Sequence, residues 1–253
     1  LEMAYWSIHG DEAKVSDHIH VINGFGLNVG DMILSSIATG ALLVDEVEKE
    51  NGVLVIDIGC GTTDYVLYHD GYVVQTGVIP IGGDHLTNDL SLGLRVNRKL
   101  AEKHKVEHGS AQVRREDKHE KVWLVGDQQI GDRQAQKLAI YQILQARTEE
   151  IFRLVAEDLG PLLSRENLPA GIVLTGGTSR LPGITELASE TLKADVRLGE
   201  NPEWVRGDLR KPEFSTTLGL LHYALTGQAE DEASAEPERG LLRKVAKKFF
   251  TLH

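Results

Sequence analysis

Asp57-Ile58-Gly59-Cys60-Gly61-Thr62-Thr63-Asp64 follows an apolar run of strand length, Val53–Ile58, and leads directly into a second such run. It therefore reads as a tight turn between two strands. Gly59 and Gly61 have no Cβ, which lets backbone N–H groups come close to phosphate oxygens. Thr62 and Thr63 add hydroxyls, with Cys60 a small residue between the glycines. Asp57 and Asp64 place carboxylates where a phosphate-bound Mg²⁺ would sit, since that ion takes a few carboxylates and keeps its water. Asp57 is the better placed to order metal-bound water. The competing reading of this octapeptide is a glycine-containing hairpin with acids at its edges.

A second stretch of the same kind lies downstream, at Thr175-Gly176-Gly177-Thr178-Ser179-Arg180-Leu181-Pro182-Gly183. It too follows an apolar strand and precedes a helix. Its paired glycines allow backbone to lie against a nucleotide, and the helix start favours an anion. Arg180 is a candidate for stacking on an adenine face. Here the competing reading is an ordinary strand-to-helix turn. No Gly-x-x-x-x-Gly-Lys-Ser/Thr occurs, which excludes a P-loop.

Around these loops the pattern predicts a strand at residues 5–9, a helix over 11–25, and a strand at 31–37. Further strands are expected at 65–68 and 72–79, joined by His69-Asp70-Gly71, a strong hairpin signal. Helices are expected after Gly82-Gly83 and around 97–105, then a strand at 121–125. A long helix over 133–159 carries the apolar stripe Leu138, Tyr141, Ile143, Leu144, Ile151, Phe152, Val155 and Leu159. A strand at 171–175, a helix after Pro182, a short strand at 195–198 and a helix at 214–225 follow. Strands and helices alternate after an antiparallel hairpin, so the class is α/β with a mixed, helix-covered sheet.

The 253 residues carry a formal charge of −11, which argues against nucleic acid as a general partner. The balance is uneven. Residues 239–253 contain five basic side chains and no acid, leaving −16 on the rest. Residues 227–238 are acidic and small, and read as a solvated linker. Beyond it, Leu241, Leu242, Val245, Phe249 and Leu252 fall within an arc of roughly 100° on a helical projection, with Phe250 at its edge. Arg243, Lys244, Lys247 and Lys248 take the opposite side. Such a helix is too short and charged to span a bilayer but suits the headgroup boundary. The single cysteine, Cys60, excludes an internal disulfide framework, and nothing near it in sequence would lower its pKa. His18 and His20 face different sides of the expected helix, which does not favour a metal site.

The two loops, in this order and at this separation, resemble the phosphate-2 and adenosine motifs of the actin-like ATPase superfamily. Further pieces resemble the FtsA family of bacterial division proteins. They are Val78-Ile79-Pro80-Ile81-Gly82-Gly83-Asp84, Ala101-Glu102-Lys103-His104-Lys105-Val106-Glu107-His108-Gly109, and Ser215-Thr216-Thr217-Leu218-Gly219-Leu220-Leu221-His222-Tyr223. The resemblance implies an actin-like (ribonuclease-H-like) fold with a smaller inserted subdomain and binding of ATP with Mg²⁺, the metal held by Asp57 through water. It puts Gly82, Gly83, Glu102 and Lys105 near the phosphates or ribose, beside Asp57, Gly59, Cys60, Gly61, Thr62, Thr63, Gly176, Gly177, Thr178, Ser179 and Arg180. It also implies self-association into filaments and tethering of FtsZ to the cytoplasmic face of the cell membrane at the division site, with at most weak ATPase activity. A pilus-assembly protein of the PilM kind and a small-molecule kinase on the same fold are the alternatives.

Several features depart from the family pattern. Cys60 stands at a usual glycine, and Ser35-Ser36 where Glu-Pro is common. The first phosphate loop and most of the small family-specific subdomain are not found in residues 1–253, so the chain reads as the later part of a longer protein. The expected organisation is the end of a first actin-like lobe at 1–51 and a second lobe at 52–226, with an insertion at about 95–160 that carries the family's FtsZ contact. An acidic linker at 227–238 and a membrane-targeting helix at 239–253 complete it.

Overall fold

The structure, a computed structural model, describes residues 7–113, 120–124 and 131–231. The expected linker beyond Asp231 and the whole membrane-targeting segment, 239–253, lie outside these residues. The chain separates into two units, one ending at Leu34 and one beginning at Ser35. In the first, α1 (Glu12–Gly24) starts on Asp11, whose carboxylate accepts from the N–H groups of Ala13 and Lys14. The described part of the strand expected at 5–9 has no strand structure.

In the second unit, α2 (Ser35–Leu43) replaces the strand expected at 31–37. The apolar run Met32-Ile33-Leu34 suggested a strand, but it has no regular structure. The small residues after it form a helix that meets other elements backbone-close. A Cβ on Gly40 would lie 2.5 Å from the Tyr68 hydroxyl. α3 (Glu46–Asn51), which the pattern did not reveal, is closed by a capping box between Asp45 and Glu48.

β1 (Val53–Ile58), β2 (Thr63–His69) and β3 (Tyr72–Ile79) form the hairpins expected of them. Asp70 and Gly71 take positive φ of 53° and 78°, as the Asp-Gly signal requires. α4 (Gly83–Leu94) and α5 (Arg98–His108) follow. β4 (Lys121–Leu124) pairs antiparallel with β5 (Arg133–Gln136) in a separate two-stranded sheet. The long helix expected from 133 therefore begins later, as α6 (Lys137–Leu159). Its predicted start is a strand because Val122 of β4 is buried and Ala135 of β5 packs against the same core. β6 (Ile172–Thr175), α7 (Ile184–Leu192), β7 (Val196–Leu198) and α8 (Ser215–Asp231) complete the chain, α8 running into the segment expected as linker.

The main sheet has the order β3-β2-β1-β6-β7, with β1 antiparallel to β2 and parallel to β6. Alternation along β1 divides the core by faces. Leu54, Ile56 and Ile58 join Leu86 and Leu90 of α4 and Leu144, Ile151, Phe152 and Val155 of α6. Val53 and Val55 join Leu43, Val44, Tyr68 and Val173 on the other face. Leu43 and Val44, at the end of α2 and just after it, are part of this second cluster and so belong to the unit that begins at Ser35. α2 also packs against α8, where a Cβ on Gly219 would collide with the Ala38 carbonyl.

Candidate functional site

Because β1 and β6 run parallel, their C-terminal ends open on the same sheet edge, with Asp57 opposite Thr175. Ligands of open α/β sheets gather at that edge. The turn after β1 closes with the Gly59 N–H donating to Thr62 O at 2.9 Å. The Gly59 carbonyl then accepts from the Gly83 N–H at 2.9 Å and from Thr178 Oγ1 at 3.1 Å. Cys60 O accepts from the Asp84 N–H at 2.8 Å. One carbonyl thus ties together the β1–β2 turn, the start of α4 and the 3₁₀ turn Gly177–Arg180 after β6.

Two glycines make that closeness possible. A Cβ on Gly82 would lie 2.7 Å from Cys60 O, and Gly176, at φ 85°, would drive one into the Asp57 carboxylate. Gly177 differs, because its Cβ would meet nothing nearer than 3.8 Å.

The Asp57 carboxylate is half-buried. Its Oδ2 accepts from Thr216 Oγ1 of α8 at 2.7 Å and from Thr39 Oγ1 of α2 at 3.3 Å. Burial pushes its pKa above the usual 3.8, the Thr216 hydrogen bond opposes this, and the charge of Asp64 adds to it. Asp64 faces Asp57 in register across β1 and β2. It accepts from Ser35 Oγ at 2.8 Å and Thr62 Oγ1 at 3.0 Å. Two carboxylates of this kind, facing one another at the cleft, fit a hard divalent cation that keeps most of its water. No cluster of three or more His, Cys, Asp and Glu side chains able to hold a metal occurs among the described residues, so a cage made by protein alone is not what the donors offer.

Lys105 forms the opposite wall with α4. Its Nζ donates to Gly83 O at 2.9 Å and Thr87 Oγ1 at 2.8 Å, and pairs with Glu102 at 2.7 Å. Burial pushes the Glu102 carboxyl up, but hydrogen bonds from Lys105 and Thr87 outweigh it and hold the group below its usual range.

Together these elements enclose a cleft of about 870 Å³, large enough for a cofactor-sized ligand. Of the residues singled out in the sequence, Asp57, Gly59, Cys60, Thr62, Asp64, Gly83, Glu102, Lys105, Gly176, Gly177 and Thr178 line it. The others take different places. Gly61 is exposed at the turn tip, and Gly82 sits beneath the Cys60 carbonyl. The buried hydroxyl of Thr63 donates to Ile81 O and that of Ser179 to Gly176 O. Arg180 pairs with Glu213 at 3.0 Å. The sequence reading did not pick out Asp84, Thr87, Arg98, Lys99, Val106, Glu213 or Thr216, all of which line the cleft. Helical spacing was the available signal: Thr87 lies one turn from Gly83, and Arg98 one turn from Glu102.

A family model described as "Cell division protein FtsA" matches residues 54–219. Cell division protein FtsA of Pseudomonas aeruginosa is 40% identical over 210 residues, covering 81% of this chain and 50% of that protein. The Neisseria meningitidis protein of the same name is 38% identical over 244 residues, covering 92% and 58%. The chain thus spans about half the length of the curated relatives it matches. Among solved structures, MreB5 of Spiroplasma citri bound to AMPPNP superposes with a TM-score of 0.72 at 19% identity, covering 89% of this chain and 68% of that one. The MamK double helical filament gives 0.64 at 17% identity, covering 85% and 65%. These structural likenesses establish an actin-like fold. With the family model spanning both glycine turns and the helices between them, the chain belongs to the FtsA family of cell division proteins.

Proposed function

We propose that this chain forms one wall of an ATP site in an actin-like division protein that anchors FtsZ filaments to the cytoplasmic face of the cell membrane. The observation that carries the nucleotide reading is the convergence on Gly59 O, which gathers the β1–β2 turn, the start of α4 and the turn after β6 at the head of one cleft. The AMPPNP bound by the MreB5 neighbour supports it. The Gly59 N–H and those at the start of α4 are spent on holding the junction together. The Cys60–Thr62 turn is therefore the backbone that suits phosphate oxygens, while Glu102 suits a ribose hydroxyl and Gly177 leaves room for a base. Asp57 and Asp64 order the water of a bound Mg²⁺, which would neutralise the phosphates. Turnover is at most weak in this reading, and nucleotide-dependent self-association matters more, as the MamK filament supports.

Calorimetry tests the site. Residues 1–253 alone should bind ATP weakly or not at all, because phosphate donors are offered from one side only. Joining the N-terminal half of the Pseudomonas aeruginosa relative ahead of this chain should bring micromolar affinity. Equal ATP affinity with and without that half would refute the shared-wall reading. The membrane role rests on the amphipathic pattern of residues 239–253. Phe249→Glu should release the joined protein from anionic vesicles while leaving ATP binding intact, and unchanged vesicle binding would remove the tether from the proposal.

A further inference from the structure

The cleft is lined by five carboxylates and three cations, so an anionic ligand needs every cationic donor it can find. Lys105 has little left to give. An ammonium group has three N–H donors, and Gly83 O, Thr87 Oγ1 and Glu102 already take them. The first turn of α5 differs. Arg98 pairs with Asp84, and no other hydrogen bond or ion pair of its guanidinium occurs among the described residues, although that group has five donors. Its neighbour Lys99 also lines the cleft and has no ion pair among them.

Arg98 is also well placed. Asp84, its partner, donates its own N–H to Cys60 O at 2.8 Å, so the guanidinium is held one residue away from the β1–β2 turn. It lines the same cleft as Cys60 and Glu102. An arginine fork matches phosphate geometry, and a single ion pair, that to Asp84, is all it has to exchange for phosphate.

We propose that Arg98, held in reserve on Asp84 and backed by Lys99, is the residue by which this cleft selects a nucleoside polyphosphate over the bare nucleoside. This rests on the nucleotide reading above and adds to it a residue outside both glycine loops. The guanidinium turns from Asp84 toward the phosphates when they bind, and Asp84 returns it when they leave.

Calorimetry on the joined protein described above, with ATP, ADP and adenosine as probes, separates the possibilities. Arg98→Ala should weaken ATP and ADP binding about tenfold, the size of one charge-assisted hydrogen bond, with adenosine unchanged. Arg98→Lys should recover part of the loss. Asp84→Asn releases Arg98 and should raise ATP affinity a few-fold. ATP affinity unchanged by Arg98→Ala, or adenosine weakened as much as ATP, would overturn the selection by Arg98 while leaving the nucleotide site standing. A fall in ATP affinity on Asp84→Asn would overturn the reserve role. Failure of the wild-type joined protein to bind ATP would instead remove the nucleotide reading, and this inference with it.

Discussion

The turns after β1 and after β6 both bring glycine to the cleft, but they are built in different ways. The β1–β2 turn is held from outside, since its Gly59 and Cys60 carbonyls accept from Gly83, Asp84 and Thr178. The turn after β6 closes mainly on itself, with Ser179 donating to Gly176 O through both its N–H and its hydroxyl, and Leu181 donating to Thr178 O. The first is a junction, and the second a loop closed mostly by its own bonds that reaches out through Thr178. They touch at Gly176, whose missing side chain leaves room for Asp57. Two adjacent glycines consequently do different work: Gly176 holds the turns together and Gly177 keeps space open.

Breaking the contact between the turns should have the largest effect. Gly176→Ala would force a Cβ into Asp57 and to 2.5 Å from Ile58 O, at a φ that alanine disfavours. We expect a loss of about 3 kcal/mol or more, read by urea unfolding. A loss under about 1 kcal/mol would mean the two turns are not coupled there. Gly177→Val is the counterpart. Its side chain enters open cleft, so the unfolding midpoint should hold while ATP affinity of the joined protein falls at least tenfold, about 1.4 kcal/mol. A midpoint shift as large as that of Gly176→Ala would erase the distinction between the two glycines.

Titratable groups extend the same contrast between what packs and what faces the ligand. His104 on α5 is only 4% exposed, and neither ring nitrogen has a hydrogen-bond partner among the described residues. Burial, helped by the charge of His108, holds its pKa below the ordinary 6.5. The unfolded chain therefore takes up the proton first. The stability that neutral His104 allows is fully present above about pH 6.5 and is lost as pH falls through the lower folded value. His222, lowered by burial and by Lys49, acts in the same direction. Replacing His104 by Leu should flatten the fall in stability below pH 6.5 by up to one proton, about 1.4 kcal/mol per pH unit. Identical slopes in wild type and variant would show that the ring is not the titrating group.

Asp57 gives the reverse sign. Its folded pKa is raised, so its contribution is present below 3.8 and lost as pH rises through the folded value. Above that folded value the carboxylate is charged within the fold at a cost to stability. Asp57→Asn should raise the Tm of the unliganded chain by about 2–4 °C, the shift expected for about 1 kcal/mol in a chain of this size. In the joined protein it should remove the Mg²⁺ dependence of ATP binding. A lowered Tm would show that the hydrogen bonds from Thr216 and Thr39 matter more than the charge.

What was legible beforehand follows from the physics of each signal. β1, β2 and β3 announce themselves through apolar runs and Asp70-Gly71, because hydrophobic pattern and turn chemistry agree there. α2 was misread because Met32-Ile33-Leu34 supplies a strand-like run just ahead of a helix made of small residues, whose packing against α8 no local window reveals. β5 has little strand propensity of its own and exists through pairing with β4. Within the cleft, glycines were readable since few other residues allow such close backbone approach. Asp84, Thr87, Arg98 and Thr216 were not, because ordinary polar residues on helices acquire a role only when tertiary packing turns them inward.

The parallel pairing of β1 with β6 has a consequence in time. Val55 meets Val173 only after α4, α5, the small sheet and α6 have been made, and such long-range pairings form slowly because loop closure must come first. On the ribosome the junction at Gly59 must wait for Thr178 to emerge. A chain arrested before Ile172 would hold the β1–β2 hairpin with one edge of β1 unpaired, a state open to misassociation. The site should therefore be among the last parts to mature during synthesis.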